Sequence, residues 1–280
     1  MAAVLGTNIA SIYASKNLQS AQSSMASSVE RLSSGIRVSR AKDDAAGLAV
    51  SNQLTQQING ANQGIKNLND GVSLVQTADG ALSTVTEMAQ RILTLATQAS
   101  SGVLSSTQIA SIKTESSGLL DAIIGIKTRS SVNGTSLFGD AAITIQSSNV
   151  DGDTISITTT ALANFADKTE DGALFTLDAK VTALVDSGDA QDLIDAASAY
   201  ITAIDTQRSK LGSLQNQMDF AITNITQLSS DLNAARSRVI DTDYASETAT
   251  LTKGQILQQA ATAMLAQANQ MPNVILSLLK

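Results

Sequence analysis

Ser39-Arg40-Ala41-Lys42 sets a serine three residues ahead of a lysine, the S-x-x-K spacing by which penicillin-recognising enzymes activate a serine nucleophile. The S-D-N and K-T-G stretches that complete that constellation are missing, so the spacing alone predicts no acyl transfer. Asp241 and Asp243, in VIDTDYASET, are paired carboxylates of the kind that could share acid–base work. No other catalytic residue type accompanies them, and an apolar periodic run follows, which suits a helix N-cap better. Asp43 and Asp44 precede AAGLAVSNQL in the same manner, where the helix dipole favours carboxylates. Asp151-Gly152-Asp153-Thr154 opens like a calcium loop but lacks the G-x5-E continuation, and reads as a turn. Arg31, Arg37, Arg40 and Lys42 could hold an anion. Glu30, Asp43 and Asp44 are interleaved with them, which points instead to pairing between elements or between subunits. Arg236, Arg238, Asp241 and Asp243 repeat that blend near the other end of the chain.

Composition narrows the chemistry further. The 280 residues contain no Cys and no His, which removes zinc fingers, Cys nucleophiles and Ser-His-Asp triads. The glycines are scattered, so no phosphate-cradling loop is predicted, and no cofactor is expected. Aromatics make up 2% and Trp is missing, while hydrophobic residues reach 43%. Ala, Leu, Ile and Val must then supply the burial, which suits narrow helix–helix seams. The net charge of −7 is uneven: residues 151–195 carry ten acidic residues against Lys168 and Lys180. An acidic chain poor in aromatics is not expected to bind nucleic acid. No run of 18 apolar residues occurs, so no membrane insertion is expected. The opening MAAVLGTNIAS has neither a basic n-region nor a continuous h-region and does not read as a secretory signal peptide.

The elements that would carry these residues follow from periodicity. Ile58, Ala61, Ile65, Leu68, Val72 and Val75 alternate spacings of three and four. After a phase slip near Asp79 the alternation resumes at Leu82, Val85, Ala89, Ile92, Ala96 and Ala99. One helix is predicted over 43–99, roughly 80 Å long at 1.5 Å per residue. A stripe of that length needs partner helices. A second helix is predicted over about 105–128, antiparallel to the first across the short SSGVLSS turn. Then the period changes to two. AITIQ and TISIT, joined by SSNVDGD, predict a β-hairpin at about 141–159. An acidic insert follows at about 160–190, with a short strand expected at LFTLD. Ala197, Ile204, Leu211, Met218, Ile225 and Leu232 then recur every seven residues, predicting a long helix over 189–235. Leu5, Ile9, Ile12, Leu18, Met25 and Leu32 mark a helix over 3–33. Leu257, Ala261, Met264, Ala268, Met271, Ile275 and Leu278 mark the last, which Pro272 is expected to bend or interrupt. The fold class is therefore mainly α: an elongated antiparallel helical bundle or coiled-coil rod with a small β-hairpin region and paired N- and C-terminal helices.

LGTNIASIYASKNL, SSVERLSSGIRVSRAKDDAAGLAVSNQL and NLNDGVSLVQTADGALSTVTEMAQRI closely resemble the N-terminal region of bacterial flagellins. LSSDLNAARSRVIDTDYASETATLTKGQILQQAATAMLAQANQMPNVILSLLK resembles their C-terminal region. The resemblance covers about residues 1–140 and 190–280. It implies a structural, non-enzymatic subunit that polymerises with copies of itself into the flagellar filament, outside the cell, after type III export. Residues 1–42 and 240–280 would form the inner helical core, and 43–239 the rod layer around it, with the outer domains of the family absent or vestigial. The resemblance makes the apolar positions of the two ends the self-assembly core. It makes Arg31, Arg37, Arg40, Lys42, Asp43, Asp44, Arg236, Arg238, Asp241 and Asp243 linker charges where subunits meet. It further implies an export chaperone on the C-terminal region, and contacts with flagellar cap and hook-associated proteins. Arg91, Leu95, Gln98 and Glu115 match a motif read by vertebrate innate receptors, although Leu93 and Thr94 replace its Arg-Glu pair. Two other readings stand beside the filament subunit: a hook–filament junction protein, and a surface adhesin or glycan-binding protein.

Overall fold

The structure, a computed structural model, describes residues 8–138, 142–150, 152–157 and 173–278, and for 271–278 the backbone alone. In chain order the elements are α1 (Ile9–Ser34), α2 (Ala45–Ala99), α3 (Ser106–Arg129), β1 (Ser131–Val132), β2 (Thr135–Ser136), β3 (Ile143–Gln146), β4 (Thr154–Ile157), α4 (Ala173–Ala183), α5 (Ser187–Ile240) and α6 (Tyr244–Leu278). The chain divides into two compact units, one of residues 57–230 and one joining the two ends, up to 56 and from 231.

In the unit of residues 57–230, the stripe predicted on α2 is the buried one. Leu68, Val75, Leu82, Val85, Ala89 and Ile92 are all but inaccessible to solvent. Across them lie Tyr200, Ile204, Leu211 and Met218 of α5, equally buried. Burial in that seam pushes the Tyr200 phenol pKa up. The helices run antiparallel: Asn62 meets Ser229, Gly71 meets Met218, and Asp79 meets Arg208. At the phase slip Ala78 takes the seam position, and Asp79, beside it, accepts a 2.8 Å hydrogen bond from Arg208 Nε.

Local signals fix the helix ends. Ser105 and Gln108 form a reciprocal capping box that starts α3. Asp186 Oδ1 accepts from the Gly188 and Asp189 amides, and Asp189 Oδ2 accepts from those of Val185 and Asp186. These bonds start α5 at Ser187, and the helix continues to Ile240, beyond the predicted 189–235. The Asn133-Gly134 pair, with φ of 51° and 80°, turns β1 into β2.

The β3–β4 hairpin forms in the predicted place, with Ile143 opposite Ile157 and Ile145 opposite Ile155. It lies on a glycine face of α2. A Cβ on Gly64 would sit 1.7 Å from the Ser147 carbonyl oxygen, and one on Gly60 2.5 Å from Asn149 Cβ. Asn67 Nδ2, between them and Gly71, donates to the Gln146 carbonyl at 3.1 Å. In the hairpin loop, hydrogen bonds from the Ser148 and Ser147 side chains hold Asp153 below the ordinary Asp pKa of 3.8. A depressed carboxylate contributes stability above its unfolded pKa and loses it as pH falls through the folded one. Amide-exchange protection of residues 147–150 is therefore expected to fall selectively as pH drops below the ordinary Asp value of about 4. Protection that drops no faster there than in α5 would show that the carboxylate does not hold the loop.

Two expectations are corrected. LFTLD is not a strand: Leu174, Leu177 and Val181 are buried at helical spacing, and the segment is α4. The five-residue window was too short to separate the periods. Of the expected bend or interruption at Pro272, the interruption does not occur: the last helix continues to Leu278. Residues 158–172, most of the acidic insert's first half, lie outside the described residues, as does Leu5.

Candidate functional site

The other unit is built on the pairing of α1 with α6. Its seam is made of small residues spaced by seven. Ala14, Ala21 and Ser28 are buried on α1, and Gly254, Ala261 and Ala268 on α6. Gly254 lies against Ala21 and Met25, and Arg31 reaches Glu247 at 3.7 Å, so the helices run antiparallel. Small residues let two backbones approach closely, but each contributes little burial, on the order of 1 kcal/mol per methyl-sized group.

The larger apolar residues expected to form this core do not fill the seam. Leu18, Met25 and Leu32 flank it, half-buried. Ile9, Ile12, Leu257 and Met264 face away from it; Ile12 is 59% and Met264 64% exposed. Tyr13, Val29, Tyr244 and Ile256 are also exposed on these two helices. Met271, Ile275 and Leu278 lie on the α6 backbone, and their side chains are outside the described residues. Sequence reasoning missed Ala14, Ala21, Ser28 and Gly254 as the contact row. Their seven-residue spacing was the available signal.

Between α1 and α2 the charged link folds against the α5–α6 link. Gly35 ends α1 in the left-handed region, φ 71°, with its amide donating to the Arg31 carbonyl. An added Cβ there would also meet the Tyr244 hydroxyl at 3.1 Å. The Arg37 amide donates to the Ile240 carbonyl, its guanidinium to the Val239 carbonyl, and the Thr242 amide to the Gly35 carbonyl. Ile36 and Asp241 form an isolated antiparallel bridge. Arg40 pairs with Glu30. Asp43 closes a turn by accepting from the Arg40 amide at 3.1 Å and the Ser39 hydroxyl at 3.4 Å. Desolvation pushes its pKa up, but the Arg40 and Ser39 amides, Lys42 and the Ser39 hydroxyl together hold it below the usual carboxylate value.

Asp44 caps α2 by accepting from the Gly47 amide at 2.8 Å. Asp243 caps α6 by accepting from the Ala245 and Ser246 amides. The cap readings of Asp43-Asp44 and of the Asp241/Asp243 pair thus resolve onto Asp44 and Asp243. Lys42, Arg238 and Asp241 keep exposed side chains, and Arg236 is half-buried.

The remaining predicted site lies in the other unit. Arg91 donates to Glu115 through Nη2 at 2.7 Å and Nε at 3.0 Å, joining α2 to α3 at the surface. Gln98 is exposed, but Leu95 is only 2% exposed and belongs to the core. Among the described residues there is no cluster of carboxylates able to hold a metal ion, and no helix long and apolar enough to cross a membrane.

Residues 5–142 match the family described as bacterial flagellin N-terminal helical region, and residues 193–279 the bacterial flagellin C-terminal helical region. The chain is 37% identical over 299 residues to a flagellin of Bacillus subtilis, covering 98% of each. It is 32% identical over 378 positions to flagellin B of Vibrio cholerae, covering all of both chains. A solved structure described as a flagellar hook-associated protein from Vibrio parahaemolyticus superposes with a TM-score of 0.61. At 12% identity, over 71% of this chain and all of that one, the likeness shows the fold alone. Small-residue pairing of the two ends, a long helix with a seven-residue repeat and full-length similarity to flagellins converge: the chain belongs to the bacterial flagellin family, as a non-enzymatic structural subunit of the extracellular flagellar filament that serves motility.

Proposed function

We propose that this subunit polymerises through the outward apolar faces of α1 and α6, with a second copy of the chain as the covering partner. The supporting observation is the split between seam and face. Ala14, Ala21, Gly254, Ala261 and Ala268 already satisfy the pairing, while Ile9, Ile12, Ile256, Leu257 and Met264 remain exposed. Fully burying such a side chain is worth roughly 1.5–3 kcal/mol, and these are already partly covered. Several together are needed to exceed the cost of association. In this reading residues 1–42 and 240–280 are the inner layer of the filament and 43–239 the layer outside it. Lys42, Arg236, Arg238 and Asp241 are the linker charges offered to neighbouring subunits. Arg31, Arg37, Arg40, Asp43, Asp44 and Asp243 shape the link within the chain.

The 378-position alignment with the Vibrio cholerae relative, against 280 residues here, supports a subunit without that relative's extra length. The same apolar helix ends suit an export chaperone before assembly, and cap and hook-associated proteins at the filament ends. For an innate receptor, Arg91, Gln98 and Glu115 are the accessible part of the motif, because Leu95 is enclosed. The junction-protein reading has no observation specific to it.

Replacing Ile12 and Met264 together by Ser leaves the seam untouched. It is expected to raise the critical concentration for polymerisation at least 30-fold, from the roughly 2 kcal/mol or more of burial removed. Helical circular dichroism at equal protein concentration below both thresholds should be unchanged. Filaments pelleting at the wild-type threshold would refute the assignment of these faces.

A further inference from the structure

A seam of alanines carries little information about register. Ala14, Ala21 and Ser28 meet Gly254, Ala261 and Ala268, both rows repeating every seven residues. Sliding one helix by a heptad, about 10 Å at 1.5 Å per residue, sets small residues on small residues again. Something else must say which of these alignments is the native one. Polar groups placed once along an otherwise uniform seam do this in helical pairs.

The structure holds such a group where α1 begins. Asn8 Oδ1 accepts from the Ser11 amide at 3.1 Å and caps α1. Its other side-chain atom, Nδ2, donates across to the carbonyl of Ala268 on α6 at 2.8 Å. In a regular helix that carbonyl accepts from the amide four residues later. Residue 272 is the only proline in the chain, and proline has no amide hydrogen. Pro272 therefore leaves one intrahelical acceptor open on α6, and Asn8 fills it. One position further on, the Ser11 hydroxyl lies 3.1 Å from Asn269 Oδ1.

We propose that Asn8 and Pro272 form a registry latch for the terminal helices. The proline creates an acceptor at one level of α6 only, and the asparagine that starts α1 reads it. In a pair slipped by one heptad so that Asn8 lies level with Ala261, the Ala268 carbonyl loses its donor and Asn8 meets a carbonyl already bonded within the helix. The inference rests on the pairing of α1 with α6 and not on which faces bind other subunits.

The chain has no cysteine, so engineered pairs can report register. A Cβ on Gly254 lies 3.5 Å from Met25 Cβ, within disulfide range. Met25→Cys with Gly254→Cys thus reports the native register, and Leu18→Cys with Gly254→Cys the register slipped by the heptad that brings Asn8 level with Ala261. Asn8→Ser keeps a good cap acceptor but is too short to reach Ala268. In assembled protein oxidised under mild conditions, Asn8→Ser is expected to raise the slipped cross-link about fivefold, the factor one neutral hydrogen bond is worth. Adding Pro272→Ala restores the amide at 272, and the slipped cross-link should return to within twofold of its starting yield. Intrachain cross-links change gel mobility, and each variant is oxidised as pelleted filaments above its own critical concentration, where the ends are ordered. A slipped yield unchanged by Asn8→Ser, or an Asn8→Ser effect that persists undiminished with Pro272→Ala, overturns the latch. Normal wild-type assembly in the same experiment leaves the assembly reading standing.

Discussion

Removing residues 1–33, or residues 245–280, is expected to abolish polymerisation while leaving a soluble protein with most of its helix. The unit of residues 57–230 keeps its own core of Leu68, Leu82, Ile92, Leu120, Tyr200 and Met218 in either truncation. The opposite holds for the ends. The 26 residues of α1 and the 35 of α6 share a seam of Ala, Ser and Gly, and their larger apolar residues face outward. Helix in water is held mainly by burial of one face, and a seam this thin buries little. Gly254 and Pro272 cost a further ~1 and ~3 kcal/mol of helix propensity relative to Ala. The ends therefore fold fully only when other copies cover them, so assembly and ordering are coupled. Full-length monomer should gain helical circular dichroism on polymerising, and protease should trim free monomer to a fragment near residues 43–240. Pelletable filaments from either truncated chain, or protease-resistant ends in the monomer, would contradict this.

Gly64→Ala is expected to destabilise the protein by about 2–5 kcal/mol, although alanine is the better helix former. The added Cβ would fall 1.7 Å from a backbone oxygen of Ser147. No rotamer relieves that, so the β3–β4 hairpin must lift away from α2. Lifting it exposes Ile145 and Ile157, now 8% and 4% accessible, and breaks the bond from Asn67 to the Gln146 carbonyl. Each isoleucine is worth roughly 1.5–3 kcal/mol. Gly80→Ala on the same helix is the control, because a Cβ there meets nothing within 4 Å; it should stabilise by up to ~1 kcal/mol. Thermal melts of the two variants that shift in the same direction would show that the hairpin does not depend on this close approach.

Much of this architecture was legible in the sequence because large apolar residues announce it. The three-and-four alternation on α2, the sevens on α5 and the Ile-x-Ile pairs of β3 and β4 each place their element to within a few residues. What stayed hidden is carried by small residues. Gly60 and Gly64 add nothing to the apolar period, and only the hairpin resting on them gives them a reason. The contact row of α1 and α6 is made of Ala, Ser and Gly, so the eye falls on Leu18, Met25 and Leu257 beside it. Those residues mark where burial is wanted, which is not the same as where the two helices touch. Pro272 misled for a related reason: a proline removes a donor, and a partner's side chain supplied one.

The slip at Ala78 has a mechanical consequence. From Ala197 to Ile225, α5 repeats every seven residues, a lay that winds a left-handed supercoil. On α2, two spacings of three follow one another at Val72, Val75 and Ala78, which overwinds the coil locally. Two strands of unequal lay do not share an applied twist evenly; torque concentrates where the pitch changes. The ion pair of Asp79 with Arg208 spans the strands at that level, a pin set where the bundle is first asked to turn.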